Sequence, residues 1–278
     1  MKRLFHSFCL PLLLPLLILG LWRYFTPIID NNMILPPLER VWHILSRPDQ
    51  PLLAMGSLIK NVAMSFTRVF IAFILSSLAG ILLGVAMGYS RRLDRLTSTF
   101  LELFRPLPPM AWVPLMLAWT GILSLATILH ISSGPLYPYI DSIKISMLFI
   151  IFIGGFFPIL TSSFQGVRSV PLTLIEAARV LGAGEGDIFS KILLPGAAPG
   201  IFHGLRIGLA LSWSCLISSE MLPGSLSGIG YLIIHAYSMG RVDIVIAGML
   251  CIGTAGALMD WVFRLIERKK LSWARLVR

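Results

Sequence analysis

The stretch GVRSVPLTLIEAARVLGAGEGDIFSKILLPGAAPGI, Gly166 to Ile201, reads as a loop built from helices. Ser169 can cap a helix that carries Pro171 in its first turn. Leu172, Leu174, Ile175, Ala178 and Leu181 then make an amphipathic stripe. Gly182 suits the left-handed residue that ends a helix. A second short helix is predicted from about Glu185 to Leu194, stopped by Pro195. The product is a helix–Gly–helix unit lying at a membrane surface. Its polar face holds Glu176 and Arg179, not the Lys/Arg-rich face of a helix resting on lipid. Docking to another protein is therefore the better reading.

The membrane follows from what surrounds this loop. Of 278 residues, 56% are hydrophobic and only 13% charged, and the mean hydropathy is +0.84. A soluble domain carries about 25% charged residues. Half that amount cannot coat a water-facing globule, and so much apolar side chain excludes disorder. Six apolar runs stand out: Cys9–Trp22, about Phe66–Tyr89, Pro108 to about His130, Ile143–Leu160, Ile201–Leu222 and Val242–Ile266. Each is read as near the ~20 residues that cross the hydrocarbon as a helix. No apolar–polar alternation favours a β-barrel. The first run follows Lys2 and Arg3, like a signal peptide, but it shows no small-residue cleavage site. An uncleaved span is favoured. The expectation is an all-α membrane protein of six transmembrane helices.

Charge orients the spans. The net charge is +10, from 23 Lys and Arg against 13 Asp and Glu. Sixteen of the 23 cations fall in four segments on one side of a six-span chain: Lys2 and Arg3; Arg91, Arg92, Arg95 and Arg105; Arg168, Arg179, Lys191 and Arg206; and Arg264, Arg268, Lys269, Lys270, Arg275 and Arg278. The positive-inside rule then places both termini in the cytoplasm. Cations spread over four segments do not make a nucleic-acid footprint, so no nucleic-acid partner is expected.

Chemistry is not indicated. Cys9, Cys215 and Cys251 lie in apolar runs and read as small buried hydrophobes. The five histidines form no HExxH, no CxxC is present, and no metal or cofactor is expected. No Walker A sequence occurs, and GAGEGD at Gly182–Asp187 is not GxGxxG and follows no strand. An intramembrane enzyme would need a nucleophile–base pair or paired ligands. Ser218, Ser219 and Glu220 are adjacent and point to different faces, with no His in the span.

Gly80, Gly84 and Gly88 recur at four-residue spacing, as do Gly204 and Gly208. Such stripes let helix backbones approach closely, within one chain or at a subunit interface. Pro106, Pro108, Pro109 and Pro114 predict a kinked start to the third span, buried in protein, and Pro158 should disturb the inner end of the fourth. Arg68, Lys144 and Glu220 are ionisable residues near the outer ends of spans two, four and five. Intramembrane charges are functional candidates. Arg68 and Glu220 could form a structural ion pair, or Arg68 or Lys144 could attract an anionic solute. Asp260 and Arg264, four apart, should pair.

Glu176-Ala177-Ala178, three residues, Gly182, nine residues, Ile192, one residue and Leu194-Pro195 resemble the EAA motif of ATP-binding-cassette importer permeases. LPPLERVW (Leu35–Trp42), RPLPPMAWVPLMLAWTG (Arg105–Gly121), FFPIL (Phe156–Leu160) and GLRIGLALSWSCLISSEML (Gly204–Leu222) are similar to the nitrate/sulfonate/taurine branch. The resemblance spans about Leu35 to Glu267. It implies a type I importer permease fold and an ATPase-coupling element made of Glu176, Ala177, Ala178, Gly182, Ile192, Leu194 and Pro195. It also implies a cytoplasmic ATPase subunit that hydrolyses ATP, an external or periplasmic solute-binding protein and a second permease copy as partners. The setting is the bilayer of a bacterial or archaeal cytoplasmic membrane, and the solute is a small anion. The permease itself is then no enzyme.

The organisation expected is an N-terminal span with an outer amphipathic segment over 1–57, a permease domain over 58–266 with its loop at 166–200, and a basic cytoplasmic tail over 267–278. Two segments depart from the family pattern: Leu123 to Ile140, at the outer ends of spans three and four, and Gly184-Glu185-Gly186 after the EAA glycine. A secondary transporter driven by an ion gradient is the alternative. Inverted repeats and broken mid-membrane helices, which mark many of that class, are not detected.

Overall fold

A computed structural model describes residues 2–52, 54–121, 123–222 and 224–271, with side chains from residue 13 onward. Expectations placed on Arg275, Arg278 and the side chains of Lys2, Arg3 and Cys9 lie outside the described residues. The described chain is helical. Helices α1 (Lys2–Ile29) and α2 (Leu38–Ser46) precede the long α3 (Leu58–Tyr89), which turns at Ser90 into α4 (Arg91–Phe104). A 3-10 turn (Pro109–Trp112), α5 (Val113–Thr120), α6 (Leu125–Ile128) and α7 (Tyr137–Asp141) lead to α8 (Ile145–Arg168). After α9 (Leu172–Val180) comes one helical run, Glu185–Glu220. It consists of α10 (Glu185–Asp187), a π-helical stretch (Ile188–Leu193) and α11 (Leu194–Glu220). Helices α12 (Ile229–Ser238) and α13 (Val242–Lys270) complete the fold.

Four described helices are long and apolar enough to cross a membrane: Leu58–Tyr89, Ile145–Arg168, Glu185–Glu220 and Val242–Lys270. These hold all of expected spans two and six and all but the end residues of spans four and five. The first run lies in α1, whose described apolar part, Leu13–Ile29, is shorter and mostly exposed. Span three differs from expectation. Gly121 (φ +54°) ends α5, so the continuous α-helix there has only eight residues, or about 12 Å at 1.5 Å per residue. The four prolines shorten it from the other side by removing donors. Nor is this segment buried in the chain, since Leu107, Met110 and Trp119 are exposed.

Helix α8 is the axis. Half of its most apolar window is buried, against about a third for the other three spans. Small residues allow this on both flanks. A Cβ on Gly84 of α3 would lie 2.5 Å from the Leu160 carbonyl oxygen, and one on Gly208 of α11 would lie 2.6 Å from Ile159. Gly80, Gly88 and Gly204 face α8 as closely. Lipid gives no hydrophobic drive for helices to pair, so such backbone contact supplies dispersion in its place. The glycine stripes thus pack helices within one chain.

Proline acts more mildly than expected in two helices. Pro158 removes one donor, yet α8 runs through it, braced by α3 and α11. Pro195 does not stop the second loop helix, which continues into α11. The π-helical turn directly before it widens the helix where the ring would meet the preceding carbonyl. Nor does Ser169 cap α9. Its Oγ donates to the Gly166 carbonyl at 2.8 Å, closing α8, while Pro171 occupies the α9 cap position.

Two buried clusters fix the ends of the bundle. At the α9 end, Val85, Val167, Ile188, Leu193 and Ala197 unite α3, α8 and the start of the long run. At the α12 end, Val41 and Ile44 of α2 pack with Leu232, Ala236 and Ile244 of α12 and α13.

Candidate functional site

Helix α9 is held by one side and open on the other. Ile175 and Ala178 pack against the α9-end cluster. The rest of its apolar stripe faces outward: Leu172 is 68% exposed and Leu174 54%, with Val180 at 88% and Leu181 at 87%. Glu176 and Ala177 are exposed, and the Glu176 carboxylate makes no hydrogen bond or ion pair with the described residues. Gly182 takes φ +86°, the left-handed conformation that ends the helix. Ile192 packs into the cluster, and Leu194 and Pro195 are exposed. Of the seven motif residues, Glu176, Ala177, Gly182, Leu194 and Pro195 are thus exposed, and Ala178 and Ile192 root this rim in the helix bundle.

Glu185, part of the segment that departs from the family pattern, ties this rim down. Arg179 donates to Glu185 Oε1 from Nη2 at 2.9 Å and from Nε at 3.2 Å. The Tyr89 hydroxyl donates to Glu185 Oε2 at 3.1 Å, and the Tyr89 and Phe189 rings meet edge to face. The start of the long run therefore clasps α9 to the end of α3. Gly184 caps α10 in an extended conformation, so the helix begins at Glu185.

At the other end, the structure brings Arg68 and Glu220 together at 2.6 Å, both side chains 0% exposed. Neither faces an open cavity among those described. Arg68 also donates to the carbonyls of Ser142 and Ser227, each at 2.7 Å, and to Ser227 Oγ at 2.9 Å. Glu220 accepts from Ser65 Oγ at 2.8 Å and from the Gly230 N–H at 3.0 Å. Ser65 Oγ accepts from the Ile229 N–H, and Asn61 Oδ1 accepts from the Gly228 N–H at 2.8 Å. Helix α12 thus begins on a buried polar node made by α3 and α11. Gly228 (φ +114°) is required there, because a Cβ would lie 2.3 Å from the Glu220 carboxyl.

Lys144 is not in that node. It is buried at the start of α8 and pairs with Asp141 at 3.4 Å. Ser124 Oγ donates to Asp141 Oδ1 at 2.6 Å, which holds that carboxyl below its usual range, with Lys144 adding to the effect. A bridge between Ser124 and Lys144 joins the two ends of the Leu123–Ile140 segment. That segment is therefore an ordered cap of two short helices. Asp260 does pair with Arg264, and it also binds Arg206 Nε at 2.6 Å, linking α11 to α13.

Sequence reasoning missed Ser162, Gln165 and His203, which line two adjoining cavities. Polar residues three apart on an otherwise apolar helix were the available signal.

A family model described as binding-protein-dependent transport system inner membrane component matches residues 76–272. A protein of Methanocaldococcus jannaschii named as an ABC transporter permease is 44% identical over 265 residues, 95% of this chain and 92% of that one. The taurine transport system permease protein of Escherichia coli is 32% identical over 91% of this chain and 84% of its own. The nitrate import permease protein of Leptolyngbya laminosa is 30% identical over 87% and 80%. Among solved structures, a chain of the MetNI methionine ABC transporter in an inward-facing conformation aligns with TM-score 0.60 at 19% identity, covering 79% of this chain and 98% of that one.

Proposed function

Because the chain belongs to the binding-protein-dependent transport inner-membrane component family, as an ABC importer permease of the nitrate/sulfonate/taurine branch, we propose a specific division of labour for its parts. ATP hydrolysis belongs to a separate subunit. The outward rim of α9 docks into that ATPase subunit, and Glu176, Ala177, Ala178 and Gly182 make the contact. Ile175 and Ala178 pass the movement to α3, α8 and α11, while the Glu185 clasp stops α9 from sliding. Two copies of the chain enclose the path. Each copy crosses the membrane six times, with both termini cytoplasmic, in a bacterial or archaeal inner membrane. The solute is a small sulfonate- or nitrate-like anion delivered by an external binding protein.

The observation that carries this is the exposure of Leu172, Leu174, Val180 and Leu181 on a helix whose opposite side is rooted in the bundle. Apolar side chains this open at an ordered surface mark a protein contact. Arg68 and Glu220 act as structural residues, since both Arg68 terminal nitrogens and both Glu220 oxygens bond to groups of the same chain and neither side chain is exposed.

Uptake into proteoliposomes holding the permease, its ATPase partner and its binding protein is the test. Taurine and nitrate serve as probes. Transport should stop when the ATPase is made catalytically inactive. Transport that persists and follows an imposed ion gradient would instead show a secondary transporter.

A further inference from the structure

Two cavities, of about 860 and about 450 Å³, flank the seam between α8 and α11. Ser162, Gln165 and His203 line both, so they stand at the border of the two chambers of this cleft. Its floor is the contact between Gly166 and Gly200, where a Cβ on Gly200 would lie 2.7 Å from the Gly166 Cα. The side chains of Ser162, Gln165 and His203 make no hydrogen bond with the described residues. All three can donate one into the cleft.

Charge around the cleft is uneven. Arg105 lines the smaller chamber, and Arg206, Arg264 and Arg268 line the larger. Among the described residues, the lining has one carboxylate, Glu267, and Asp260 behind it is shared by Arg206 and Arg264, so cations outnumber carboxylates around the cleft. Because Arg206 and Arg264 are already held by Asp260, they act through their field and not by chelation.

We propose that this cleft is an anion-binding chamber of the translocation path, in which Ser162, Gln165 and His203 contact a small sulfonate- or nitrate-like oxyanion. The proposal rests on the importer reading above. Hydrogen-bond donors at the contact, with fixed cations at the rim, attract an anion without trapping it. A transport site needs that combination, because what binds must also leave.

Charged thiol reagents test this without knowledge of the natural solute. Gln165→Cys is made in the otherwise native chain, assembled with the ATPase partner. Wild type supplies the background from Cys9, Cys215 and Cys251. Methanethiosulfonate ethylsulfonate, an anion, is compared with its trimethylammonium counterpart, a cation. Relative to their ratio on a free thiol, the anion should react faster by about tenfold, the lower end of field focusing in a charged cleft. Adding Arg206→Gln should cut that preference severalfold. Excess taurine or nitrate should slow the anionic reagent. A ratio equal to that of the free thiol, a preference for the cation, or no slowing by either probe would overturn the proposal. Ser162→Cys gives the same readings if the first variant fails to assemble. Failure of the importer reading is distinguishable, because it appears as uptake with an inactive ATPase and leaves the reagent ratio unchanged.

Discussion

The Arg68 guanidinium and the Glu220 carboxylate meet at 2.6 Å with neither side chain exposed, and the start of α12 hangs on the pair. Removing one partner leaves the other charged, buried and uncompensated, at a cost of about 3–5 kcal/mol. Glu220→Gln and Arg68→Gln should therefore each lower the yield of folded, detergent-stable protein. Replacing both by apolar residues of similar volume should restore much of it. Size-exclusion profiles and thermal unfolding measure this. Full stability in either single variant, with lost uptake alone, would return Arg68 to the list of solute contacts.

Glu176 gives the opposite pattern. It is exposed and has no partner among the described residues, so Glu176→Lys should leave thermal stability within about 0.5 kcal/mol of wild type. Copurification of the ATPase subunit should nevertheless fall, and uptake with it, by about tenfold if the contact is worth about 1.4 kcal/mol.

The clasp should separate docking from transmission. The Arg179–Glu185 pair is exposed, and such pairs contribute about 0–1 kcal/mol. Glu185→Ala should therefore scarcely change melting or ATPase binding. It frees α9 from Tyr89, so solute moved per ATP hydrolysed should drop. An unchanged ratio would show that the cluster around Ile175 suffices.

Backbone geometry makes a fourth case. Nothing lies within 4 Å of a Cβ on Gly182, but φ is +86°, so Gly182→Val should cost about 1–2 kcal/mol locally through strain alone. Gly84→Val meets the Leu160 carbonyl oxygen and should lose about 1–3 kcal/mol by overpacking. Only the second should lower the melting temperature of the whole bundle.

The Ser124–Asp141–Lys144 cap should respond to acid. A carboxyl held below its usual value contributes stability that is complete above about pH 4 and is lost as pH falls through the lowered value. Limited proteolysis within Leu123–Ile140 should therefore be flat from neutral pH downward and rise only in strong acid. In Asp141→Asn the cap should be cut faster at neutral pH and show no such rise.

Motif spacing and small-residue stripes were legible because each depends on local geometry. Gly182 ends α9 as its position in the pattern required, and Gly84 and Gly208 seat α8 where four-residue spacing put a small face. What sequence could not show was how tertiary support changes a proline. Pro195 is carried by the π-helical turn at Ile188–Leu193, so a loop helix and a span became one. The prolines around Pro109, with Gly121, broke the third span more thoroughly than a kink. The cleft residues Ser162, Gln165 and His203 were illegible for another reason. They come from two helices, and the close packing of α8 on α11, at Gly166–Gly200 and at Gly204–Ser162, places them together.

On the proposed division of labour, the ATPase acts at α9. A photo-crosslinking amino acid at Val180, 88% exposed, tests it in the assembled transporter, with Leu226, 64% exposed near the opposite end, as the control. A crosslink to the ATPase subunit is expected from position 180 and none from position 226. No ATPase adduct at 180, or equal adducts at both positions, would contradict it.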